Sequence, residues 1–84
     1  METSKILLRE NDFYILDTLL GSETTPSELS IDLGISLKNI LDLAKRLERL
    51  NLITRRKEWR VVTYSITSNG MKLLPHLSKM VYGD

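Results

Sequence analysis

The sequence predicts a mainly helical α+β domain in which three helices precede a two-stranded hairpin and a fourth helix closes the chain. Apolar residues recur at helical spacing through residues 13–20 and 40–50. Two helix-start signals lie close together at Thr25 and Ser36, and the run from Arg60 to Ile66 alternates as a strand does. At 84 residues the chain makes one domain, 1–84. A chain of this size buries only about 60–65% of the surface its unfolded form exposes, so dimerisation would add to its stability.

In order, Phe13, Leu16 and Leu20, with Ile15 and Leu19 beside them, share the core face of a first helix that Gly21 ends. Ile6-Leu7-Leu8 is either the first turn of that helix or an apolar arm for a partner subunit. The second helix has a sharp start, with Thr25 as N-cap, Pro26 at the first helical position and Glu28 at the capping-box position. Leu29 and Leu33 fall on one side of it, and Gly34 stops it. Only Ile35 separates Gly34 from Ser36, the next N-cap, so residues 26–50 read as two helices joined by a tight turn of the helix-turn-helix kind. The third helix is expected from Leu37 to Leu50. Ile40, Leu43, Leu47 and Leu50 cluster on its core side, and Lys38, Asp42, Lys45 and Arg49 on the displayed side. Asn51, which tolerates left-handed backbone, suits the position that ends it.

The hairpin covers residues 52–66, with strands Leu52–Lys57 and Arg60–Ile66, and Tyr64, Val62 and Ile66 read as core. Thr67 then caps a last helix over 68–82, which Pro75 is expected to kink or restart by removing an amide hydrogen. Its apolar set is larger than the first helix alone covers. Leu73, Leu74, Leu77, Met80 and Val81, with Leu7 and Leu8 near the start of the chain, are therefore the candidate homodimer surface.

The formal net charge is only +1, yet residues 1–34 carry two basic and seven acidic side chains, and residues 35–84 carry ten and four. The basic excess concentrates where Lys45, Arg46, Arg49, Arg55, Arg56, Lys57 and Arg60 face only Glu48 and Glu58. A polyanion would be drawn to one end of such a molecule and repelled by the other, which favours one docking orientation. A displayed helix face followed by a basic hairpin is the pattern of a nucleic-acid reader. Strand alternation points Arg55 and Lys57 one way and Arg56 the other. Ser36, Lys38, Asn39, Asp42 and Lys45 are candidates to meet bases or phosphates; the alternative is a solvated helix face laced by ion pairs. Asn39 is the base-reading candidate, because its amide can address adenine through two hydrogen bonds. Asp42 either accepts from a cytosine amino group or pairs with Lys38, Lys45 or Arg46, and Leu41 either touches a thymine methyl or joins the core. Trp59, near the hairpin tip, is expected to pack over the hairpin in preference to stacking on nucleic acid.

These elements together resemble the winged helix-turn-helix of prokaryotic transcriptional regulators, particularly the MarR and ArsR types and their small archaeal relatives. The resemblance rests on Ser36-Leu37-Lys38-Asn39-Ile40 through Leu47-Glu48-Arg49-Leu50-Asn51-Leu52-Ile53, similar to a recognition helix closing on Leu-Glu-x-x-Gly-Leu-Ile, with asparagine here in place of glycine. It rests also on Ile66-Thr67-Ser68-Asn69-Gly70, similar to the Leu-Thr-x-x-Gly run that opens the helix after the wing. The resemblance implies double-stranded DNA as partner, the third helix in the major groove, the hairpin as a wing at an adjacent minor groove or backbone, and two subunits on a pseudo-palindromic site. It also gives Arg60 the role of minor-groove probe and Glu58 that of orienting it, since Glu58-Trp59-Arg60 is similar to the Asp-x-Arg of MarR wings. Arg46, Arg55, Arg56 and Lys57 would neutralise phosphates.

Other classes find little support. The chain has no cysteine, Gly-rich phosphate loop or paired-carboxylate motif, and His76 is its only histidine, so no catalysis, cofactor or metal is expected. No apolar run approaches the length of a membrane span, and a cytoplasmic protein is expected. The competing reading is a winged-helix protein-interaction module that uses the apolar last helix and the hairpin.

Overall fold

The computed structural model describes residues 8–82, with side chains through Lys79. The elements are α1 (Glu10–Gly21), α2 (Pro26–Leu33), α3 (Leu37–Arg49), β1 (Ile53–Glu58), β2 (Val61–Ile66) and α4 (Ser68–Tyr82). The mainly helical α+β order expected from the sequence is the order observed.

Capping explains the sharp joints. Thr25 Oγ1 accepts from the Glu28 amide at 3.2 Å, and Ser36 Oγ accepts from the Asn39 amide at 3.2 Å, so each side chain satisfies a donor that a helix start leaves orphaned. Gly34 turns the chain between α2 and α3 at φ +66°, a conformation that costs a residue without Cβ almost nothing. At the far end of α3, Asn51 takes φ +62°. Its amide reaches the Glu48 carbonyl and the Leu52 amide reaches the Leu47 carbonyl, both at 3.0 Å, which is the Schellman closure of a helix.

The hairpin is antiparallel, running in register from Ile53 opposite Ile66 to Glu58 opposite Val61. The edge of β2 is bridged at one residue. Thr24, between α1 and α2, exchanges two backbone hydrogen bonds with Tyr64, so a one-residue third strand ties β2 to the helix-turn-helix. The core gathers Phe13, Ile15, Leu16 and Leu19 from α1, Leu29 from α2, and Ile40, Ala44 and Leu47 from α3. Leu52, Ile53, Tyr64, Leu74 and Leu77 complete it. Thr67 locks α4 into place: its hydroxyl donates to the Asn51 carbonyl at 2.7 Å and accepts from the Gly70 amide at 3.0 Å.

Several expectations change. Leu20, assigned to the core face of the first helix, is 51% exposed, because α1 turns Ile15, Leu16 and Leu19 inward instead. Of the kink or restart expected at Pro75, the restart does not occur: α4 runs on through it. Pro75 stands on the exposed side, where water can take up the hydrogen bond it cannot make. Leu74 and Leu77, proposed for a dimer surface, are 7% and 3% exposed and belong to the monomer's own core, because α4 packs along α1. Leu8 and Leu73 are half-buried against the same core. Leu7 and the side chains of Met80 and Val81 lie outside the described residues.

Candidate nucleic-acid interface

Helix α3 buries Ile40, Ala44 and Leu47 and displays the opposite side. Ser36, Lys38, Asn39, Asp42 and Lys45 are all exposed there. Ser36 is occupied as the cap of this helix, which fixes where the amide-bearing Asn39 stands in its first turn. Lys38 and Asp42 form an i,i+4 pair at 3.1 Å, both well exposed, so the carboxylate in the middle of the stripe is partly neutralised by its neighbour. Lys45 and Arg49, further along the helix, have no carboxylate partner among the described residues.

Arg46 has a partner inside the molecule. It turns inward to Asp12 of α1, a fully buried carboxylate that also accepts from the Arg9 amide at 2.7 Å. The reason is electrostatic: an ionised carboxyl without a partner cannot remain in an apolar core, and Arg46 supplies the countercharge. Arg46 thus makes an internal tie between α1 and α3 while 39% of its side chain stays in solvent. The chain separation, 34 residues, hides it from any local pattern. The only sequence signal is an acid amid the apolar positions of α1.

On the hairpin the predicted divergence is present. Arg55 lies opposite Tyr64 and Lys57 opposite Val62, so these cations share the sheet face of the core residues, extended past the core's edge into solvent. Burial pushes the Tyr64 hydroxyl pKa up, and the charge of Arg55 works against that rise. Arg56 points to the other face, 3.3 Å from Glu23 and 3.8 Å from Glu58, so much of its charge is spent inside the molecule. Glu23 also accepts from the Ser65 hydroxyl at 3.0 Å. That hydrogen bond, followed by Arg56, holds its carboxyl below the ordinary carboxylate range. Glu23 was not singled out by sequence, since it reaches the hairpin only through the Thr24–Tyr64 bridge.

The tip departs most from expectation. Trp59 and Arg60 form the two-residue turn, and the indole does not cover the hairpin core: it is 88% exposed. Its backbone sits at φ +62°, while the Arg60 guanidinium lies 5.8 Å from the ring centroid. Between the hairpin and the starts of α2 and α3 runs an open, mostly apolar cleft of about 360 Å³, lined by Pro26, Leu37, Leu41, Arg60, Val61 and Val62. Leu41, 42% exposed, faces this cleft and solvent, not the core.

Two helices at a tight turn, a capped and displayed third helix, a basic hairpin pinned by a bridge to the first connection, and a closing helix define the architecture. The chain is a winged helix-turn-helix. No family model matches the winged-helix chain, and no curated protein matches it by sequence. Solved structures do, among them MarR-family winged-helix transcriptional regulators. The transcriptional regulator Tm0710 from Thermotoga maritima is 28% identical over 80% of this chain and 50% of its own, with a TM-score of 0.74. The adhesin competence repressor AdcR from Streptococcus pyogenes, 18% identical, matches 98% of this chain and 63% of its own at 0.80. ZitR from Lactococcus lactis, solved in complex with DNA, is 23% identical over 84% and 51% at 0.75. The chain thus spans about half to two thirds of the length of these neighbours.

The described residues contain no group of three or more histidine or acidic side chains suited to a metal ion, and no helix long and apolar enough to cross a membrane.

Proposed function

We propose that this winged helix binds double-stranded DNA as a small transcriptional regulator, with α3 directed to the major groove and the hairpin to the adjacent minor groove or backbone. The observation that carries this reading is the disposition of charge. Lys45, Arg49, Arg55, Lys57 and Arg60 are exposed on α3 and the hairpin without a carboxylate partner among the described residues, while Asp12, Glu23 and Asp42 are each engaged by a cation. Glu48, half-buried between Lys45 and Arg49, has no cation partner among the described residues, but the cations of this surface still outnumber its acids and leave a net demand for anions. The DNA complex of ZitR, a neighbour of the same fold, supports the same reading.

Base discrimination is assigned to Lys38 and Asn39 in the first turn of α3, and phosphate neutralisation to Lys45, Arg55 and Lys57. Arg60 has the electrostatic character that a narrow minor groove rewards. Two copies would read two half-sites about one helical turn apart.

The test is fluorescence anisotropy of a labelled duplex titrated with protein at several salt concentrations. Each phosphate neutralised contributes a slope of about −0.9 in log K against log salt, so four or five contacts give roughly −4. A flat response, or no binding at low salt, refutes DNA binding. Sedimentation equilibrium at rising concentration tests the pair of subunits: a persistent monomer removes the two-half-site arrangement.

A further inference from the structure

The hairpin tip combines three features that folding alone does not favour. Trp59 leaves 88% of its surface in water, it occupies the positive-φ position of a two-residue turn where glycine would be unstrained, and it covers none of the hairpin core. Cations predominate around it: Arg60 stands 5.8 Å from the ring, Lys57 is exposed on the strand leading into the turn, and the adjacent acid, Glu58, lies 3.8 Å from Arg56. A large apolar surface held out from the body among positive charges matches a polyanion that also offers apolar surface, and the deoxyribose walls of a DNA minor groove do that. We infer that Trp59 is itself a DNA contact, its indole laid against the minor-groove wall beside the Arg60 guanidinium.

This rests on the DNA-binding reading above, but the two can fail separately. Arg60 would supply the part of the contact that salt screens, and Trp59 the part that it does not. The cation beside the ring orients the pair, since a guanidinium near an aromatic face is attracted to its quadrupole. Trp59 thereby extends the probing tip from one side chain to two.

Trp59 is the only tryptophan of the chain, so its emission reports the tip without a label. The experiment follows, in one titration of the full chain, the anisotropy of a labelled A·T-rich duplex and the tryptophan emission with its quenching by acrylamide. The expected result is that emission shifts and quenching falls in step with the rise in anisotropy. A rise in anisotropy with unchanged emission and quenching overturns the Trp59 contact and leaves DNA binding standing; no rise in either overturns both. Emission that changes with protein concentration alone, without duplex, assigns the ring to self-association and also overturns the proposal.

The companion variant is Trp59→Gly, which relaxes the positive φ and therefore keeps the hairpin folded. It should weaken duplex binding roughly tenfold at every salt concentration with an unchanged salt slope, as loss of an aromatic contact does. Arg60→Ala should instead lower the slope by about one contact's worth. Trp59→Gly binding as tightly as the parent contradicts the contact.

Discussion

Replacing Arg46 by methionine tests the buried tie between α1 and α3. The substitution keeps the apolar stem and removes the charge, leaving Asp12, fully buried, with the Arg9 amide as its remaining hydrogen-bond donor among the described residues. Breaking a buried ion pair from one side costs about 3–5 kcal/mol. Arg46 keeps 39% of its side chain in solvent, and Asp12 Oδ1 and Arg46 Nε have no hydrogen-bond partner among the described residues, so the lower end, about 3 kcal/mol, applies. Domains of this length have in total roughly 4–13 kcal/mol, which makes the loss a large share. In urea unfolding, with a slope near 1 kcal/mol per molar, the midpoint should fall by roughly 3 M. The double variant Asp12→Leu/Arg46→Met should recover most of this, short of about 1 kcal/mol for the lost N-terminal cap. Arg46→Met within about 0.5 kcal/mol of the parent would place the pair with exposed ion pairs and refute the tie.

Three further outcomes follow from local geometry. Gly70→Ala should destabilise by about 2–3 kcal/mol in the same assay, because the added Cβ would collide with the Leu52 carbonyl oxygen and meet Ile66 Cγ1 at 2.7 Å. Asn51→Gly should stabilise by up to about 1 kcal/mol, since φ +62° is free to glycine and the Schellman closure uses only backbone. Glu23→Gln tests linkage. The pKa of Glu23 is depressed by Ser65 and Arg56, so its stabilising contribution is present above its ordinary value near 4.5 and is lost as pH falls through the lowered one. The parent and Glu23→Gln should therefore differ in thermal midpoint at pH 7 and converge in acid; a constant difference across that range contradicts the assignment.

Much of the fold was legible because its punctuation is local. Thr25-Pro26, Gly34, Ser36 and Thr67 act within a few residues of themselves, and the structure uses each as a stop or a start. Ala44 taking a fully buried place on α3, with Leu43 and Leu50 only half-buried, shows the limit of periodicity: it gives a face, but packing chooses which residue fills it. What the sequence could not reveal depended on distant pairing. The Asp12–Arg46 tie, the Glu23–Arg56 pair, the Thr24–Tyr64 bridge and the burial of Leu74 and Leu77 all join segments at least 30 residues apart, or require knowing that α4 lies along α1. Trp59 was misread for another reason. Tryptophan favours burial, but a two-residue turn leaves its central side chains nothing to pack beneath.

The central claim is that α3 and the hairpin form one duplex-binding face. Amide chemical-shift mapping of the 15N-labelled chain with a bound duplex tests it most directly. Perturbations should concentrate at residues 36–45 and 55–60 and spare the exposed sides of α1 and α4. Perturbations centred on Leu20, Met71 and Pro75, with α3 and the hairpin unmoved, would contradict it.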